Sequence, residues 1–95
     1  MNLTVSYRHL ESSPALEEKI TNKVKHLEKH LHDDFNVTWV CSVSGHVHSS
    51  DVNITSKTGN FHAKAEDSNM YKTLDVCMTK IEKQIAKKSE KIKEH

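Results

Sequence analysis

The sequence predicts an α+β fold whose elements follow one another in the order β-α-β-β-β-α. Two stretches carry apolar residues at every third or fourth position, which is typical of helices with one buried face. In the other stretches apolar and polar residues alternate, which is the period of a strand with one buried face. Strands joined by short links pair antiparallel, so we expect a four-stranded, mostly antiparallel sheet with both helices packed on one face.

The first third of the chain predicts a strand and a helix. Residues 2–8 alternate in the manner of a strand, with an apolar face made of Leu3, Val5 and Tyr7. Ser13 followed by Pro14 then marks a helix start, because serine caps a helix well and proline suits the first helical position. The apolar stripe of this helix extends to about residue 32 and consists of Leu16, Ile20, Val24, Leu27 and Leu31.

The rest of the chain predicts three strands and a second helix. Alternation over residues 37–43 predicts the second strand, and Gly45 lies in the turn after it. The third strand is expected around residues 50–57, a hairpin turn at Thr58–Asn60, and the fourth strand at residues 60–66. The second helix should extend from about residue 69 to 92, with a buried stripe formed by Met70, Leu74, Cys77, Met78, Ile81, Ile85 and Ile92.

Length and composition indicate one ordinary globular domain that spans residues 1–95. A chain of 95 residues with 35% hydrophobic and 28% charged residues can bury a core without help from disulfides or metals. No apolar run approaches the roughly 18 residues that cross a bilayer. The N-terminus also lacks the charged and apolar regions of a signal peptide, so we expect a cytoplasmic protein without membrane contact.

The sequence does not predict a catalytic or metal site. It contains two glycines, both at predicted turns, so it has no glycine-rich phosphate loop. Cys41 and Cys77 lack the spacing of a metal or redox motif and are expected to be buried free thiols. His46 and His48 could share one side of a strand end, but spacing supplies no third ligand. We therefore expect no catalytic residue, no metal and no cofactor.

Charge is distributed unevenly over the chain, although the formal net charge is only +1. Residues 79–95 hold six lysines and three glutamates, or +3, whereas residues 33–69 hold two lysines and five acids, or −3. At 100° per residue, each predicted helix collects basic residues within a sector of about 60–80°. The two rows are Lys19, Lys23, His26 and His30, and Lys80, Lys83, Lys87 and Lys91. They favour contact with phosphates, with an ordinary solvated helix face as the alternative.

Three segments resemble a known family: His48–Asp51, His62–Glu66 and Asn69–Asp75. Together they are similar to the bacterial ribosome hibernation promoting factors, also called sigma-54 modulation proteins or ribosome-associated inhibitors. The Met-Tyr-x-x-Leu-Asp element within the third segment is the most specific part. Asn69 stands where family members usually have aspartate, a change between two good helix caps. The resemblance covers the whole chain, whose length matches the short form of the family.

The resemblance implies a translation inhibitor that acts by steric exclusion. It would bind 16S rRNA in the small (30S) subunit, in the channel used by mRNA and tRNA, and occur on 70S and 100S ribosomes. It would act in stationary phase or stress, together with a separate ribosome modulation factor that promotes ribosome dimerisation. The short form lacks the C-terminal dimerisation domain of the long form, so we expect a monomer when the protein is free.

The resemblance also implies which residues contact RNA. Family members tend to be basic at the positions that match 23, 26, 80, 83 and 87, and Lys91 continues the second row. Position 26 is histidine here, and an imidazole is mostly neutral at cytoplasmic pH, so its contribution is smaller. The candidate RNA-binding residues are Lys23, His26, Lys80, Lys83, Lys87 and Lys91.

Two other functions remain open from the sequence. The element order is similar to that of double-stranded RNA-binding domains, which recognise successive minor grooves by shape. The older family name instead suggests a protein-interaction module that modulates sigma-54 dependent transcription. Within the family-like element, Tyr71 and Asp75 are four residues apart. We expect them to contact each other or the sheet, as a latch that docks the helix start on the strands.

Overall fold

All six predicted elements are present, in the predicted order, in the computed structural model. It describes the backbone of residues 1–93 and the side chains of residues 1–88. The elements are β1 (Asn2–Arg8), α1 (Pro14–Leu27), β2 (Phe35–Ser44), β3 (Val47–Ser56), β4 (Gly59–Asp67) and α2 (Met70–Lys93). The predicted α+β class is therefore confirmed.

The four strands form one sheet in the order β1-β2-β3-β4. β1 pairs with β2 in parallel through the α1 crossover, whereas β2–β3 and β3–β4 are antiparallel hairpins. β1, β2 and β4 consequently run in the same direction. Because α1 follows β1 and α2 follows β4, both helices begin at the same end of the sheet. β1 and β4 are the two edge strands.

The core lies between one face of the sheet and the two helices. Alternate residues of β2, β3 and β4 are buried and form one apolar cluster with the stripes of α1 and α2. Trp39 belongs to this cluster and has no exposed surface. The opposite face of the sheet is polar and carries exposed residues such as Thr4, Thr38, Asn53 and His62. Both helices therefore cover one face, as predicted.

The helix starts are fixed by local hydrogen bonds. Ser13 caps α1, because its Oγ accepts a hydrogen bond of 3.2 Å from the Leu16 N–H, and Pro14 takes the first helical position. Asn69 caps α2, because its Oδ1 accepts a hydrogen bond of 2.9 Å from the Tyr71 N–H. Asparagine thus performs the capping role expected at this position.

Several boundaries differ from the prediction; β3, for example, begins at Val47 rather than near residue 50. α1 ends at Leu27 rather than near residue 32, and the chain continues as a turn in which the Leu31 N–H donates to the Leu27 carbonyl over 2.8 Å. Leu31 is still only 6% exposed, so the apolar stripe outlasts the helix. The turn between β3 and β4 consists of residues 57 and 58, and Gly59 already pairs with Ser56 as the first residue of β4.

No helix among the described residues is both long and apolar enough to cross a membrane.

Candidate nucleic-acid interface

Lys19 and Lys23 of the first basic row lie on the flank of α1 that faces α2, whereas His30 lies in the turn after the helix. Lys23 forms an ion pair with Asp75 of α2, and its side chain is only 28% exposed. One turn earlier, the Lys19 Nζ lies 5.7 Å from the centre of the Tyr71 ring, within the range of a cation–π contact. A shallow groove follows this flank and is lined by Ala15, Glu18, Lys19, Asn22, Lys23 and His26. The candidates Lys23 and His26 therefore share one surface.

The basic row of α2 begins beside the free edge of β4. The Lys80 Nζ donates a hydrogen bond of 2.7 Å to the main-chain carbonyl of Lys64. One turn further, the Gln84 amide donates to the His62 carbonyl over 2.6 Å and accepts from the His62 N–H over 3.2 Å. These groups of β4 would otherwise lack a partner, since β4 is an edge strand. Lys80 thus has a structural contact that its place in a lysine row does not indicate.

Lys83 and Lys87 are exposed on the outer side of α2. A surface depression joins this part of the row to the contact between the helices, and its lining consists of Asp75, Val76, Thr79, Lys80 and Lys83. The outer surface of the helix layer therefore carries ammonium groups from both rows, with the Asp75 carboxylate between them. Lys91 belongs to α2, but its side chain lies outside the described residues.

The expected latch involves other residues than those predicted. Tyr71 and Asp75 do not dock on the strands; Tyr71 is 44% exposed and contacts Lys19, while Asp75 pairs with Lys23. The start of α2 is instead joined to the sheet by a buried hydrogen bond of 2.7 Å between the hydroxyls of Thr73 and Ser50. Ser50 shares its strand face with Val52 and Ile54, and this alternation is a sequence signal that could have identified the contact.

The two cysteines are buried and not oxidised to a disulfide. Burial raises the pKa of both thiols to about 11, so they remain neutral at physiological pH. The Cys77 Sγ lies 3.6 Å from the Ser50 carbonyl. Both residues behave as small core side chains, in agreement with the sequence.

The histidines are dispersed over the fold. His46 lies in the β2–β3 turn and His48 is the second residue of β3. The His62 Nε2 lies 2.9 Å from the Asp51 Oδ1 on the open sheet face, where Asn53 also donates to Asp51 over 3.2 Å. Within the part of the chain that the structure describes, no three His, Cys, Asp or Glu side chains converge as a metal site would require.

The chain matches the family model described as "Sigma 54 modulation protein / S30EA ribosomal protein" over residues 3–93. The protein belongs to this family. It is 32% identical over 95 residues to the ribosome hibernation promoting factor of Escherichia coli (strain K12), with full coverage of both chains. The factor of Salmonella typhimurium (strain LT2) is 30% identical, also over the full length of both. The family resemblance expected from the sequence is thus confirmed.

Two solved structures are similar to this chain in fold. The Thermus thermophilus Protein Y N-terminal domain superposes with a TM-score of 0.84 at 21% identity, covering 90% of this chain and 96% of that one. A ribosomal subunit interface protein from Coxiella burnetii gives a TM-score of 0.81 at 26% identity, covering 92% and 96%. Both solved structures thus share the fold described above.

Proposed function

We propose that this protein is a ribosome hibernation factor that binds the small ribosomal subunit in its mRNA and tRNA channel. The observation that carries the proposal is the full-length match to hibernation promoting factors of the same length, at 32% identity. The exposed lysines on the helix layer supply a surface that suits ribosomal RNA. Residues 1–95 would act as one ribosome-binding domain, in the cytoplasm and as a monomer when free.

The proposed inhibition requires no chemical step. A folded domain held in the channel excludes mRNA and the A- and P-site tRNAs by volume alone, so no catalytic residue is needed. The contrast between basic helices and the acidic strand-rich middle gives the molecule a charge polarity. Such polarity orients a protein on RNA while its low net charge limits non-specific attraction.

The RNA contacts in this proposal come from both rows. Lys83 and Lys87 offer exposed ammonium groups, and Lys80 retains two of its three N–H donors beside the bond to β4. Lys23 contributes from the groove along α1, which His26 also lines, while Lys91 extends the α2 row. As the family resemblance implies, the protein would act in stationary phase or stress. It would do so together with a separate modulation factor that promotes ribosome dimerisation.

Sedimentation of cell lysates tests the function. In starved cells the protein should migrate with 30S, 70S or 100S particles, and in growing cells much less of it should do so. Purified protein should also bind purified 30S subunits and compete with mRNA and P-site tRNA. A protein that stays in the ribosome-free fractions of starved cells and fails to bind 30S subunits would refute the proposal.

Two other outcomes would support the alternatives. A modulator of sigma-54 dependent transcription would migrate with RNA polymerase in the gradient. A general double-stranded RNA reader would bind an unrelated RNA duplex as tightly as it binds the 30S subunit. We expect neither outcome.

A further inference from the structure

Two side-chain contacts between α1 and α2 are in register with each other. Lys19 and Lys23 are four residues apart on α1, and Tyr71 and Asp75 are four residues apart on α2. Both helices begin at the same end of the sheet, so successive turns of one lie beside successive turns of the other. Lys19 therefore lies over Tyr71 and Lys23 pairs with Asp75 one turn further along.

These contacts add little to the folding of the helix pair. Asp75 is 67% exposed, and an ion pair with one so exposed partner contributes little to stability. The helices are already held by buried residues such as Ile20 and Leu74, which have no exposed surface. What the contacts restrict is the freedom of two lysine side chains, each a point charge on a flexible stem.

We infer that Tyr71 and Asp75 are positioning residues that hold the ammonium groups of Lys19 and Lys23 for ribosomal RNA phosphates. The inference rests on the proposed function and deepens it, because it makes Lys19 a further phosphate-facing lysine. A lysine held in place before binding loses less conformational freedom when it meets its phosphate. The Tyr71 ring holds Lys19 without neutralising it, whereas Asp75 holds Lys23 and offsets part of its charge.

The role of Tyr71 is tested by a double-mutant cycle with Lys19, in which the affinity for purified 30S subunits is measured. Y71L removes the aromatic face and should weaken binding by about two- to fivefold, because the Lys19 side chain must then be ordered on binding. Y71F keeps the ring and should restore binding relative to Y71L. In a K19A background Y71L should have no further effect, because the lysine it positions is gone. K25A removes an exposed α1 lysine outside the row and is the control.

The role of Asp75 is tested by measuring the effect of D75N on 30S affinity with and without Lys23. In a K23A protein, Asp75 has no lysine to hold and only repels phosphate, so D75N should strengthen 30S binding. With Lys23 present, D75N also releases the Lys23 ammonium group from its held position. The loss of positioning should then cancel or reverse the gain in affinity that comes from removing the repulsion. The two effects of D75N should therefore differ by at least about threefold, as expected for coupled residues.

The controls separate this inference from the function it rests on. Each variant is also melted, since a merely structural role would lower the melting temperature and leave the affinity of the folded protein unchanged. Equal effects of Y71L with and without Lys19, and of D75N with and without Lys23, would overturn the inference while wild-type binding upholds the proposed function. Failure of the wild-type protein to bind 30S subunits would overturn both.

Discussion

The two helices carry similar rows of basic residues, but the rows have different surroundings. On α1, Lys23 is paired with a carboxylate and Lys19 lies over an aromatic ring. On α2, Lys80 is anchored to a main-chain carbonyl, while Lys83 is exposed. Lysines with similar spacing on two helices therefore do not offer the same amount of unpaired charge to RNA. We therefore expect α2 to supply most of the electrostatic attraction to RNA and α1 to supply orientation.

The largest expected effect is the loss of the α2 row. Replacing Lys80, Lys83 and Lys87 together by alanine should weaken 30S binding at least about tenfold. It should also lower the slope of log affinity against log salt by roughly three, one unit for each phosphate contact. Affinity measured at several salt concentrations checks both values.

The matched control removes the same charge elsewhere. Lys25, Lys29 and Lys57 are exposed and lie outside both rows, so their joint replacement by alanine should change the affinity far less. Equal losses in the two triple variants would mean that net charge, rather than the position of the rows, governs binding.

A comparison of single variants from the two helices sharpens the difference. K83A should lower the salt slope by about one, whereas K23A should lower it by less, because Asp75 already offsets part of the Lys23 charge. Salt titrations of 30S binding with both variants give the measurement. A larger slope change for K23A than for K83A would reverse our ranking of the helices.

Within the α2 row, stability should distinguish Lys80 from Lys83. K80A removes the hydrogen bond to the Lys64 carbonyl and should lower the free energy of unfolding by about 1 kcal/mol. K83A changes an exposed side chain and should stay within about 0.5 kcal/mol of the wild type. Urea denaturation of the two proteins makes the comparison, and identical midpoints would show that the Lys80 anchor contributes nothing.

The smallest expected effect belongs to Gln84, which contacts β4 without carrying charge. Q84A should destabilise the fold by roughly 0.5–1 kcal/mol, because water replaces its bonds to the exposed His62 main chain. Its salt slope for 30S binding should equal that of the wild type. E82A changes an exposed neighbour in α2 and provides the control for urea denaturation. A changed slope in Q84A would mean that the edge contact also positions the lysines.

The sequence predicted most of the fold, because hydrophobic periodicity reports directly which residues face the core. The errors occur where the burial of a residue does not tell which secondary-structure element its backbone belongs to. Leu31 keeps the apolar spacing of α1 although the helix ends at Leu27, and Gly59 joins β4 instead of the turn. Periodicity shows that such residues are buried or flexible but not which hydrogen bonds their main chain makes.

The candidate site was predictable as two rows but not as a set of contacts. The partners Lys23 and Asp75 are 52 positions apart, so their pairing depends on the register of one helix against the other. The bond between Lys80 and the Lys64 main chain likewise requires α2 to lie beside the sheet edge. Helical spacing predicts neither the register of the two helices nor the place of α2 beside the sheet edge, and both become known only from the packed structure.

The contacts of α2 with the edge of β4 also determine at which edge another strand could be added to this sheet. An additional strand beside β4 would have to displace Lys80 and Gln84, which already occupy main-chain groups of Lys64 and His62. Strand addition at open edges is a common route to aggregation. Any assembly by strand addition would therefore begin at the opposite edge, on the short strand β1.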